Sequence, residues 1–265
     1  MRQLQLTSAA IVPHAPLLLD GIGPADPERA AIREATRSLR PPPSAGAPSD
    51  GEITVLLSAH GNRAAVYTEA AGSLDVVGIP GREISLPTDA RFGAKIAAAF
   101  DVELIEGPLD HEAVVSLMLA EVAGPVVVAC LSDITSAQGA QGPQAIEEGH
   151  AFARALRELA EGSDGPTVSF LASAHTGAAL HERGPLGKRW SALELEEHVR
   201  RAIETDPSKL GSLAFDLWLE SGSCGSGVFA ALADLVTEPG EVKAYAAPRG
   251  VGYIVASFAT SPTSA

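Results

Sequence analysis

The sequence predicts an α/β domain in which a central mixed β-sheet carries helices on both faces, and three observations lead there. Short apolar, β-branched runs alternate with stretches of helical period throughout the chain. No internal repeat breaks that alternation. The 265 residues, 46% hydrophobic and 20% charged, are enough to bury a substantial core.

Taken in order, residues 4 to 12 form an apolar strand that stops at Pro13-His14-Ala15-Pro16, a rigid loop presenting an imidazole at the strand tip. Asp26 then caps a helix with Pro27 in its first position and Ala31, Ile32, Ala35 and Leu39 on one face, ending at Arg40-Pro41. The proline-rich segment 41–51 can build neither a helix nor a central strand, so it is expected to be a flexible solvent loop. The residues before it are too few for a core of their own. Residues 1–265 are therefore read as one domain.

A second strand at 52 to 58 runs into Ala59-His60-Gly61, and Leu74 to Ile79 is expected to add an edge strand. Asp89 to Phe100 and Asp110 to Ala120 read as helices, the latter with Val114, Leu117 and Met118 on its apolar face. The buried strand 126 to 131 follows, then a helix from Pro143 to about Glu161 and a strand from Thr167 to Ala172. Ser191 and Glu194 have capping-box spacing for a helix reaching Ile203. Asp206-Pro207 opens another, with Leu210, Leu213, Ala214 and Leu217 facing inward. It gives way to the glycine-rich turn Ser221 to Gly227, a helix from Val228 to Val236, and strands at 242 to 246 and 251 to 258.

Composition excludes several function classes. A formal net charge of −14 at pH 7 and a pI near 4.9 oppose binding to nucleic acid or to an anionic membrane surface. A small molecule or a protein is the expected partner, and a homo-oligomer or a partner subunit both stay open. The N-terminal residues lack an uninterrupted apolar h-region, and no run approaches a membrane span, so a cytoplasmic location is expected. Two cysteines make no disulfide framework; Cys130 lies in an apolar strand and reads as core, while Cys224 sits among glycines and serines.

Function in an open α/β sheet gathers where loops leave the carboxyl ends of strands. His14, His60 and His175 all occupy such ends, and His111 opens a helix just past a loop. A lone histidine in such a place is commonly a satisfied structural imidazole. His14 and His60, each following an apolar strand and standing beside Pro or Gly, are read together as metal ligands. His150, His181 and His198 lie in helical or polar stretches and are read as structural. There is no P-loop, and the late glycine-rich turn follows a helix instead of a strand, which is wrong for a dinucleotide fingerprint. Ser223 or Cys224 as a nucleophile is a minor alternative.

The series Ile11 to Pro16, Leu57 to His60, Leu109 to Ala113, Cys224 to Gly227 and Gly252 to Ala256 resembles, in order, the class III extradiol ring-cleavage dioxygenases of the LigB type and their Memo-like relatives. The resemblance implies a non-haem Fe(II) held by His14, His60 and a late carboxylate, for which Glu220 is the nearest acid. Such a two-histidine, one-carboxylate set leaves room for a catechol-like aromatic substrate and O₂ on one metal. It also implies acid/base or second-sphere roles for His111 and His175. Glu112 stands where the dioxygenases usually carry glycine, and Ala178 stands at a family histidine position. Cys224 falls where Memo-like proteins also place a cysteine, and a thiolate ligand there suits Zn or Cu(I). A His14, His60 and His175 zinc set is a further alternative. The expectations are thus a metal-dependent extradiol dioxygenase, a Memo-like metal-binding or redox protein without ring cleavage, and, as a third class, a structural subunit of a two-chain dioxygenase.

Overall fold

The computed structural model describes residues 5–39, 52–61, 63–132, 142–161 and 166–259. The N-terminal half contains β1 (Gln5–Val12), α1 (Pro27–Ser38), β2 (Glu52–Gly61), β3 (Ala65–Tyr67), β4 (Ala70–Ser73), β5 (Glu83–Leu86), α2 (Ala90–Phe100), β6 (Glu103–Ile105) and α3 (His111–Leu119). The C-terminal half adds β7 (Val126–Ser132), α4 (Gly142–Glu161), β8 (Thr167–Ser173), α5 (Trp190–Thr205), α6 (Phe215–Glu220), α7 (Ser226–Leu235), β9 (Gly240–Ala246) and β10 (Tyr253–Ala259).

Eight strands make one mixed sheet in the order β6-β3-β7-β2-β8-β1-β10-β9. Its centre, β7-β2-β8-β1, is parallel, and this is the part buried on both faces. One face packs Ile11, Val55, Phe170 and Ile254 against α2, α4, α5 and α7 through Ile96, Phe152, Val199 and Phe229. The other packs Val12, Leu56, Val128 and Val255 against α1 and α3 through Ile32, Val114 and Leu117. The predicted architecture of a single α/β domain with helices on both faces is what forms. Cys130 is a buried core residue, as expected. No helix among the described residues is long and apolar enough to cross a membrane.

Local chemistry sets most element ends. Asp26 accepts hydrogen bonds from the Glu28 and Arg29 N–H groups, and Asp110 accepts one from Ala113 N–H at 2.7 Å, so both serve as the N-caps their sequence context suggests. Several expectations are corrected. Residues 75–77 form a 3-10 turn in place of an edge strand: Leu74 is buried as an anchor, whereas Val76 is 81% exposed. The strands there are β4 and β5, a separate two-stranded antiparallel pair. Ala31 faces solvent, and Thr36 takes a buried place on α1 because its hydroxyl donates back to the Ile32 carbonyl at 2.8 Å.

Helix α5 begins at Trp190 without a side-chain cap, so Ser191 lies inside its first turn. The helix expected from Asp206 divides into a 3-10 segment, Pro207–Ser212, and α6; Ala214 is exposed and Trp218 supplies the buried anchor. The end of the first helix at Arg40-Pro41 and the proline-rich segment lie outside the described residues.

Candidate metal centre

Sheet order brings the predicted histidines together. In the run β2-β8-β1 the carboxyl ends are neighbours, so His60 at the end of β2 and His14 just beyond β1 flank the end of β8, where Ser173 sits. His14 Nε2 and His60 Nε2 lie 3.2 Å apart, and Cys224 Sγ lies 3.6 Å from His14 Nε2. The three ligating atoms are all within 4.8 Å of one another.

Polar partners behind the rings aim both Nε2 atoms at the common point. Ser116 Oγ donates to the Pro13 carbonyl at 3.4 Å, which leaves it to accept from Ser173 Oγ at 2.7 Å. Ser173 in turn accepts from His14 Nδ1 at 3.1 Å. In that arrangement the proton sits on Nδ1, and the neutral His14 ring then presents its Nε2 lone pair. His60 Nδ1 faces the Glu112 carboxylate at 3.6 Å, which turns its Nε2 the same way. Burial pushes the His14 imidazole below its usual value against the opposing pull of Cys224. Burial alone would push the Cys224 thiol up; the imidazoles of His175, His14 and His60 outweigh it and hold the thiol well below its usual range. Two imidazole nitrogens and a cysteine sulfur facing one point are a donor set that could hold a cation.

The spacing tests which cation fits. A tetrahedral ion with metal–nitrogen bonds of about 2.0–2.1 Å and a metal–sulfur bond of about 2.3 Å requires N···N near ~3.3 Å and N···S near ~3.6 Å. The two edges at His14, 3.2 Å to His60 and 3.6 Å to Cys224, match, and the third lies within 4.8 Å. The facial set that Fe(II) takes in extradiol enzymes fits less well, since a thiol stands where the carboxylate would be.

Cys224 reaches this position through a helix-ending turn. The N–H of Ser223 donates to the Trp218 carbonyl and that of Gly222 to the Leu219 carbonyl, both at 3.1 Å, while Gly222 adopts φ +63°. Ser223 Oγ then donates to the His175 carbonyl at 2.9 Å and accepts from Gly225 N–H at 3.0 Å. The chain reverses so that Cys224 is 1% exposed inside. Glu220, on the outer side of the turn, is exposed, and its carbonyl accepts from Arg189 at 2.9 Å. The structure therefore does not bring Glu220 into the cluster.

The two predicted acid/base histidines also separate. The His175 ring centre is 5.5 Å from that of His14, and its Nδ1 is buried without a hydrogen-bond partner, so it borders the centre without joining the ligand set. His111 Nε2 lies 2.9 Å from Glu112 Oε1, which puts it behind the carboxylate that backs His60. Burial favours a neutral Glu112, but its bond to His111 and the nearby His60 hold it below its ordinary value. Sequence reasoning noticed Glu112 only as a departure from glycine and missed Ser116 and Ser173. Their signal was available: Glu112 and Ser116 are polar residues one helical turn apart on a helix that is apolar and largely buried after its first turn.

Next to His175, Thr176 Oγ1 donates to Glu196 Oε1 inside the fold, while Glu196 Oε2 is buried without a partner. Burial pushes the Glu196 carboxyl from 4.5 up to about 7. The unfolded chain then ionises at lower pH than the folded one. The stabilising contribution is fully present below the unfolded value and is lost as pH rises through about 7. Glu196→Gln is expected to remove that loss, making the variant more stable than the parent at pH 8 by on the order of 2–3 kcal/mol, with the gap closing toward pH 4.5. Urea unfolding of both proteins at the two pH values checks this; a gap independent of pH would contradict it.

No protein-family model matches the sequence, and no curated protein does either. Among solved structures, the chain is similar to the uncharacterized protein JW3007 from Escherichia coli K12, with a TM-score of 0.58 and 14% identity, over 95% of this chain and 99% of that one. That likeness concerns the fold.

Proposed function

We propose that this chain is a Memo-like metal protein in which His14, His60 and Cys224 hold one zinc or copper(I) ion and leave a position for a small-molecule ligand. The observation that carries the reading is the convergence of two Nε2 atoms and one Sγ at tetrahedral spacing. A bound ion would supply Lewis acidity at the open position; His175 borders it as a group able to exchange a proton with a ligand there. Elemental analysis of protein purified without added metal tests the reading. About one equivalent of zinc or copper is expected, and iron alone or no metal overturns it. Glu220→Ala is expected to leave the metal content unchanged.

Extradiol ring cleavage is the second reading, and the unpartnered His175 beside the site is what favours it. It requires Fe(II), and Cys224 in place of a carboxylate weighs against it. Anaerobic reconstitution with Fe(II), followed by a scan of catechols for yellow ring-opened product, separates the two readings.

The Glu112 carboxylate is expected to matter through His60. Glu112→Gln should lower metal affinity roughly 10–100-fold, the usual effect of losing an outer partner of a ligating histidine. Competition against a chromophoric chelator measures it, and an unchanged affinity would remove Glu112 from the site.

A further inference from the structure

A cleft lies apart from the metal centre, on the face of the sheet that α1 and α3 cover. Its volume is about 390 Å³, inside the ~300–1,000 Å³ usual for small-molecule sites, and none of His14, His60 and Cys224 lines it. Leu19, Met118 and Leu119 give it an apolar lining, with both leucines buried. Three arginines meet there around one aspartate. Arg33 and Arg37 stand one turn apart on α1; Arg33 Nε pairs with Asp20 Oδ1 at 2.9 Å, and Arg37 pairs with Asp20 Oδ2 and, at 2.9 Å, with Glu121. Arg33 Nη1 also donates to the Leu18 carbonyl at 3.3 Å. Arg82, just before β5, donates from Nη2 to the Asp20 carbonyl at 2.7 Å.

The pairing leaves positive charge over. One Asp20 carboxylate serves two guanidiniums, and Arg82 has no carboxylate within ion-pair distance among the described residues. Glu83 also lines the cleft, but it is exposed and makes no ion pair with the three arginines. The chain carries 33 acidic residues against 19 basic ones, so a carboxylate partner for each arginine is easily supplied. Three arginines gathered on one aspartate run against that balance. Like charges at short range repel, and surface ion pairs add little stability, so fold stability does not account for the arrangement. Each guanidinium also has more N–H donors than these contacts use: Arg33 Nη2, Arg37 Nη1 and Arg82 Nη1 make no hydrogen bond among the described residues. The two α1 side chains are already held by Leu18, Asp20 and Glu121, so a ligand meets them largely ordered.

We propose that this cleft binds a small soluble phosphate monoester, its phosphate held by Arg33, Arg37 and Arg82 and its organic part set against Leu19, Met118 and Leu119. A phosphate monoester near neutral pH carries a charge of about −1.5 to −2 on three acceptor oxygens, which suits three guanidiniums better than the single charge of a carboxylate. The inference is independent of the metal reading. Calorimetry on the full chain compares phenyl phosphate with phenol and benzoate, which share the ring and differ in the head group. Phenyl phosphate is expected to bind at least ~10-fold more tightly than either, and equally well to metal-loaded and metal-stripped protein. Arg82→Gln should weaken it by at least ~10-fold while leaving the metal content and the urea midpoint unchanged. Arg82→Lys, which keeps the charge and loses the planar fork, should fall between the two. Benzoate or phenol bound as tightly as phenyl phosphate, binding lost when metal is stripped, or an unchanged affinity in Arg82→Gln overturns the inference. A chain that takes up no metal yet binds phenyl phosphate with this preference overturns the metal reading alone.

Discussion

Cys224→Ala is expected to lower metal affinity on the order of 10³-fold, well beyond the effect of removing an outer partner such as Glu112. The thiolate is the one anionic donor of the set, and it supplies the soft character that selects zinc or copper(I). Its removal leaves two neutral imidazole nitrogens 3.2 Å apart with no anionic partner. The fold should survive, because deleting one buried sulfur leaves a small cavity costing about 1–2 kcal/mol. Chelator competition checks the affinity. Cobalt(II) substitution gives a second readout, since the sulfur-to-cobalt charge-transfer band should be present in the parent and absent in the variant. Equal affinity and an equal band in both proteins would show that the ion sits elsewhere.

The second large effect is expected where α4 crosses α7. A Cβ added at Gly149 would stand 2.0 Å from the Gly227 carbonyl oxygen, and one added at Gly227 would stand 2.1 Å from the Ala145 carbonyl oxygen. These are backbone atoms in helices and cannot rotate aside, so the helices must separate. Gly149→Ala should therefore cost about 3 kcal/mol or more, at the upper end of overpacking effects. Helix α7 starts two residues after Cys224, so the displacement should also carry the thiol away from the imidazoles and weaken metal binding. Gly124→Ala is the control: a Cβ there meets nothing, and its stability should change by less than ~0.5 kcal/mol. Urea unfolding compares the three proteins, and similar midpoints for Gly149→Ala and Gly124→Ala would contradict the close crossing.

The elements legible in the sequence were those with strong local signals. Continuous β-branched runs marked β1, β2, β7 and β8, and Asp26, Asp89 and Asp110 marked helix starts that their carboxylates do cap. The short strands β3 and β6 carry too few residues to show a period, and they form through pairing with each other and with β7. The run from Leu74 to Ile79 looked like a strand because β-branched residues favour sheets; with no neighbouring strand to pair with it, a turn anchored by Leu74 forms in its place.

The sequence by itself determined that His14 and His60 are presented at the ends of buried strands, because a strand end is a local property of an apolar run and the Pro or Gly that stops it. Together with the family resemblance it left Glu220 and Cys224, four positions apart, as the main candidates for a third donor, with His175 as a further alternative. Only the tertiary structure decided between them. The turn through Gly222 reverses the chain between these positions, so one side chain points to solvent and the other meets the imidazoles. The supporting cast was decided the same way, because Glu112, Ser116 and Ser173 come to the site from α3 and β8 through sheet order and helix packing, long-range properties that no local pattern encodes.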